Sequence, residues 1–163
     1  MTKTGTVEIS TPSECEVVLT RVFNAPRTLV FDALTKPDLL KRWLQAPGRT
    51  LEICEVDLSV GGAYRFTWRG PGKKDVGTHG VYREITRPER LAATEAWEDW
   101  DVGEMLVTTV LTEVAGRTTF TSTMRYPSRE VRDAVLKSGL ESGAAENYDR
   151  LADLLAALPE RRE

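Results

Sequence analysis

The residues able to do polar chemistry in this chain are few. There is one histidine, His79, and there are two cysteines, Cys15 and Cys54, far apart in sequence. An ordinary zinc site needs four nitrogen or sulfur ligands brought together, so no metal site is expected and no cofactor is called for. There is no phosphate-binding glycine loop and no GxSxG nucleophile turn. Two weak candidates remain for a catalytic role. His79 could serve as a base in a Ser–His–acid arrangement, although its neighbours Thr78 and Gly80 are not diagnostic; a polar strand residue with no catalytic part is the plainer reading. Glu95 shares strand parity with Trp97, so an inward Trp97 brings Glu95 inward with it. A buried carboxylate must be paired or protonated, which would suit an acid/base group or a ligand anchor. The plainer alternatives are exposure near a strand end, or an ion pair with an arginine such as Arg83.

The apolar candidates come from pattern. Tyr64, Phe66 and Trp68 alternate with Arg65, Thr67 and Arg69, which gives one aromatic and one polar strand face. Trp97 and Val81 join this set as ligand-lining candidates. In the C-terminal stretch, helical spacing puts Leu136, Leu140, Ala144, Asn147, Tyr148, Leu151, Leu154, Leu155 and Leu158 on one face. Of these, Leu140, Ala144, Asn147 and Tyr148 are candidates for the same wall. Asn147 would either hydrogen-bond a ligand or tie the helix to backbone. Gly139 and Gly143 make this helix small at its middle, which suggests close helix–sheet approach or an open pocket. Ser138 and Ser142 should face solvent. The WEDWD turn at 97–101 offers an adaptor surface or, more simply, a Trp100 folded onto its own hairpin.

The elements that must position these residues are legible along the chain. Residues 1–13 are rich in Thr and Ser and read as a mobile tail, and 159–163 as a short second tail. CEVVLTRVFN is a strand. Pro26 and Pro37 open two short helices, with Thr35 a candidate cap of the second. From about residue 51 the period becomes two, and six strands follow through short turns, which makes them antiparallel neighbours. Ser128 then caps one long helix, expected to run from Val131 to Leu158. The expected fold is α+β, with seven antiparallel strands curved around that helix and a single domain over residues 14–158.

Composition limits the function classes. The chain has 163 residues, 22 basic and 25 acidic, for a net charge of −3. That balance gives no electrostatic reason to expect nucleic acid or an anionic membrane surface. The first residues lack the apolar core of a signal peptide, and no apolar run approaches a membrane span, so a cytoplasmic location is expected. The two cysteines read as reduced and buried.

The order of motifs resembles the activator of heat-shock-protein-90 ATPase homologue-like family, within the START/SRPBCC superfamily of helix-grip (Bet v 1-like) domains. The matching stretches are RVFNAPRTLVFDALTKPDLLKRWL (21–44), Asp57 with GGAYRF (61–66), GVYREITRPERLAATEAW (80–97) and GLESGAAENYDRLADLL (139–155). Where the family often has Arg two residues after the Asp, this chain has Ser59. The resemblance implies a helix-grip fold with a cavity between sheet and C-terminal helix, and no single reaction. With the first strand expected near residue 15, no counterpart of the separate N-terminal domain of the eukaryotic co-chaperone is expected. Chaperone interaction therefore ranks last among the readings.

The first reading is binding of a hydrophobic or amphipathic small molecule, lipid-, aromatic- or polyketide-like. Tyr64, Phe66, Trp68, Val81, Trp97, Leu140, Ala144 and Tyr148 would supply apolar wall, and His79, Glu95 and Asn147 orientation. The second is a cyclase- or hydrolase-type enzyme with the same cavity, using Glu95 or His79 as general base. The third is an interaction module related to chaperone ATPase activators. Edge strands could also pair two copies into a homodimer.

Overall fold

The computed structural model describes residues 5–159. In chain order the elements are β1 (Glu8–Ser10), β2 (Glu16–Phe23), α1 (Arg27–Thr35), α2 (Pro37–Trp43), β3 (Thr50–Val56), β4 (Ala63–Arg69), β5 (Val76–Thr86), β6 (Arg90–Trp97), β7 (Met105–Val114), β8 (Arg117–Arg125), α3 (Arg129–Lys137) and α4 (Leu140–Ala157). The strands form one antiparallel sheet in the order β1-β2-β8-β7-β6-β5-β4-β3. The α+β helix-grip architecture is as expected, with eight strands instead of seven. The additional strand is β1, within the segment expected to be a mobile tail, where Ile9 lies opposite Leu19 of β2. The outer parts of the two expected tails, 1–4 and 160–163, lie outside the described residues.

The meander from β3 to β8 follows from short turns. The tightest, at Ala115 and Gly116, has both residues at positive φ, 53° and 76°. That is the twist a two-residue hairpin needs. The first strand of the expected seven, β2, closes on β8 with Val17 opposite Met124 and Phe23 opposite Thr118. Alternation then puts Val17, Leu19, Arg21 and Phe23 on the inner face, and all four are buried.

The expected single long helix is two. Ser128 caps α3 as the sequence suggests, its Oγ accepting from the Val131 amide at 3.2 Å. The break falls at Gly139, whose φ of 95° is left-handed. Only glycine takes that conformation without steric cost. Pro26 precedes the first turn of α1 and Pro37 opens α2, where a missing N–H costs nothing. Thr35 is not the cap of α2: it ends α1, and its Oγ1 donates to the Phe31 carbonyl at 2.9 Å.

Two cores result. The larger joins β2, β8, α1, α2 and the C-terminal half of α4 through Phe23, Val30, Phe31, Phe120 and Leu151. A smaller one, under α3 and the start of α4, gathers Val17, Leu19, Met105, Met124, Tyr126 and Val135. Cys15 and Cys54 are both free thiols and half-buried, so neither is as deeply enclosed as expected. Desolvation pushes the Cys54 thiol up to about 11.

Candidate functional site

Between the concave sheet face, the α1–α2 pair and α4 lies a cavity of about 200 Å³. Its sheet wall is Tyr64 and Phe66 of β4, Tyr82 of β5, Leu91, Ala93 and Glu95 of β6, Val107 and Thr109 of β7, and Phe120 and Ser122 of β8. Leu34, Leu40, Trp43 and Leu44 close it from the α1–α2 side, and Tyr148 from α4.

Register explains why these side chains meet. In antiparallel pairs, opposite residues share a face. Tyr64 is opposite Gly80, Ala93 is opposite both Tyr82 and Val107, and Thr109 is opposite Ser122. Gly80 is needed here: a Cβ would strike the Thr94 carbonyl oxygen and the Tyr64 ring. Without one, the Tyr64 ring lies across the strand and its hydroxyl donates to the Thr94 carbonyl at 2.6 Å. The ring also packs on Phe66 and Tyr82, with centroids 5.1 Å and 5.5 Å away.

Among the described residues Glu95 is the one ionisable carboxylate in this lining. The residue is only partly buried by area, and it lines the cavity. Desolvation pushes its carboxyl up from 4.5 to about 7. Among the described residues no hydrogen bond or ion pair reaches it. Burial raises the Tyr64, Tyr126 and Tyr148 hydroxyls, and the Glu95 charge raises them further. They stay neutral at any physiological pH. The cavity thus combines aromatic walls with one carboxyl able to exchange a proton near neutrality.

The family model described as activator of Hsp90 ATPase homolog 1-like protein matches residues 24–156. This chain belongs to that family. Among solved structures, a protein from Rhodobacter sphaeroides is 33% identical with a TM-score of 0.88, covering 94% of this chain and 100% of that one. Similar folds occur in proteins from Mycobacterium smegmatis (21% identity, TM-score 0.83, 95% and 100% covered) and Nitrosomonas europaea (24%, 0.80, 90% and 97%). The search of curated proteins found no match.

Within this family member, four of the sequence candidates meet at the cavity: Tyr64, Phe66, Glu95 and Tyr148. The others stand elsewhere. Trp68 shares the inner face, but its indole donates to the Leu44 carbonyl at 3.0 Å, and Trp97 stacks on it at 6.3 Å beyond the lining. Leu140 and Ala144 pack into the smaller core. Val81 is exposed on the outer face, one residue out of phase with Tyr82. His79 is also exposed, its Nδ1 3.2 Å from Glu98, and it does not line this cavity. Gly143 has open space beside it and borders a surface groove, so it provides neither close packing nor the cavity. Trp100 in the WEDWD turn is exposed.

Asn147 takes the structural option. Its Oδ1 accepts from the Gln45 amide and its Nδ2 donates to the Gln45 carbonyl, both at 3.0 Å. Arg150 completes the clamp, donating to Asn147 Oδ1 at 2.8 Å and to the Trp43 carbonyl at 3.2 Å. This fastens α4 to the end of α2, and so holds Tyr148 beside Trp43 over the cavity. Near Asp57, the Ser59 hydroxyl donates to Asp57 Oδ1 at 3.0 Å.

Not foreseen from the sequence were Tyr82, Leu91, Ala93, Val107, Thr109, Phe120, Ser122 and the α1–α2 residues of the wall. Strand parity could have found several of them. Gly80 inside a strand also signals a close approach from a neighbouring side chain.

Proposed function

We propose that this protein binds a small hydrophobic or amphipathic molecule in the cavity between sheet and α4. The observation that supports it is an aromatic-walled cavity whose lining holds a single, otherwise unpartnered carboxyl. Such a mix of apolar wall and few polar groups is typical of small-molecule sites. Size narrows the class. An engineered apolar cavity of roughly 150 Å³ takes benzene, whereas drug-sized ligands need about 300 Å³ or more. At about 200 Å³ the space beneath α4 is of the size that takes a single-ring compound. Native mass spectrometry of protein purified from its own host tests this. Retention of one small molecule, displaced by saturating single-ring compounds that also change tryptophan fluorescence, is the expected result. A ligand-free protein that no such compound perturbs would end the proposal.

One observation favours the enzymatic reading: a carboxyl near pKa 7 is matched to general acid/base work at neutral pH. If the bound molecule is turned over, Glu95→Gln should abolish turnover while leaving the fold intact. Retained turnover in that variant would remove Glu95 from the chemistry.

A further inference from the structure

Trp43, Tyr64, Phe66, Tyr82, Phe120 and Tyr148 all border the cavity, and Glu95 stands among them. The face of an aromatic ring carries negative potential, which attracts cations. Among the described residues no lysine, arginine or histidine lines the cavity. The buried guanidinium of Arg21 is turned to Asp149, 2.8 Å away. Carboxylate and ring faces therefore act in the same sense on anything that enters. The hydroxyls of Thr109 and Ser122, opposite each other on β7 and β8, also have no side-chain hydrogen bond among the described residues. A buried polar group normally has a partner. Here the carboxyl and both hydroxyls are accessible from the cavity, so a ligand can supply one.

We propose that the occupant is a small organic cation: one ring bearing an ammonium group, the nitrogen against Glu95 and the ring between the aromatic walls. This rests on the cavity being the binding site, and it adds the charge of the ligand. An anionic ligand would face the carboxylate with no cation to offset it. A neutral hydrocarbon would fill the space but leave the carboxyl unpartnered.

Binding then couples to a proton. The titratable groups facing Glu95 are Tyr64 from β4, Tyr126 after β8 and Tyr148 from α4, all neutral, with Arg21 of β2 acting on Tyr148. Glu104 acts on Tyr64 in turn. None of the three tyrosines titrates with Glu95 near neutrality. Free Glu95 is protonated below about 7, and a cation needs the carboxylate. Affinity for a cation should thus fall as pH drops, by about tenfold per unit once below that value.

The test uses three probes of similar size, followed by NMR or calorimetry: benzylammonium, its neutral isostere ethylbenzene, and benzoate. At about pH 8, benzylammonium should bind at least ~10-fold more tightly than ethylbenzene, and benzoate should not bind measurably. At about pH 5 the benzylammonium affinity should be lower by on the order of 100-fold, with ethylbenzene unchanged. Glu95→Gln should remove the preference for the cation and leave ethylbenzene within about 2-fold. Should that variant fail to fold, the pH series on the wild-type protein decides alone. Ethylbenzene binding as well as or better than benzylammonium, or measurable benzoate binding, would overturn the cation assignment and leave the cavity reading standing. Binding of none of the three would overturn both.

Discussion

Two regions of the inner sheet face are built from the same kinds of side chain and end oppositely. Beneath α1 and the C-terminal half of α4, Phe23, Val30, Phe31 and Leu151 are almost wholly excluded from solvent. Beneath the middle of α4, Tyr64, Phe66, Tyr82 and Tyr148 surround about 200 Å³ of space. Apolar content does not distinguish the two. Reach does. At one end α4 presents Leu151, Leu154 and Leu155, which fill the gap. One turn earlier only Tyr148 extends over the sheet, because Ala144 is short and packs into the other core. Tyr148 is the partition, set edge-on to Phe23 and Phe120 at centroid distances of 6.2 Å and 5.1 Å. A void in a protein of this kind is therefore made by where the helix carries its long side chains.

The sharpest way to break that contrast is truncation in the solid half. Leu151 has no exposure, and Leu151→Ala should cost about 3–4 kcal/mol in chemical denaturation, the transfer and cavity terms together. A loss below about 1 kcal/mol would mean that this half is loosely packed too. Next comes a matched pair of enlargements. Ala33 is wholly buried in the larger core, so Ala33→Leu should destabilise by about 1–3 kcal/mol through overpacking. Ala93 lines the cavity, so Ala93→Leu should be neutral or stabilising by up to ~1 kcal/mol. Equal costs at both sites would erase the distinction between them.

A smaller effect concerns charge. With the Glu95 carboxyl raised from 4.5 to about 7 in the fold, stability is full below 4.5 and falls as pH rises through about 7. Because the carboxyl retains some access to water, this slope should amount to about 1–2 kcal/mol of unfolding free energy. Glu95→Gln should remove it, as read from melting temperatures across that pH range. A slope that survives in the variant would place its source elsewhere. Smallest of all is His79→Ala: His79 and Glu98 form an exposed pair, so stability should change by less than about 0.5 kcal/mol, with ligand binding untouched.

The architecture was legible because strand alternation, turn residues and helix openings all pointed the same way. Glu95 was legible through its parity with Trp97. His79 and Val81 failed on the same rule: one residue out of phase puts a side chain on the other face, and Tyr64 opposite Gly80 fixes which face is inner. Arg21 was hidden because a charged residue was not expected inside. Its phase with Val17, Leu19 and Phe23 placed it there, with Asp149 of α4 as its partner. The break at Gly139 was read as a property of one helix because backbone handedness is not written in side-chain periodicity. β1 escaped because its three residues are too few to show a period. Whether the middle of α4 stands over a space or a solid depends on the volumes of fifteen side chains from eight elements, and one-dimensional pattern does not contain that sum.

The most direct test of the account is a comparison of the wild-type protein with Ala93→Leu, titrated with benzylammonium and ethylbenzene by NMR. Saturable binding by the wild type, lost or weakened at least about 10-fold in a variant of equal stability, is the predicted outcome. Equal binding by both proteins would show that the ligand sits somewhere other than beneath α4.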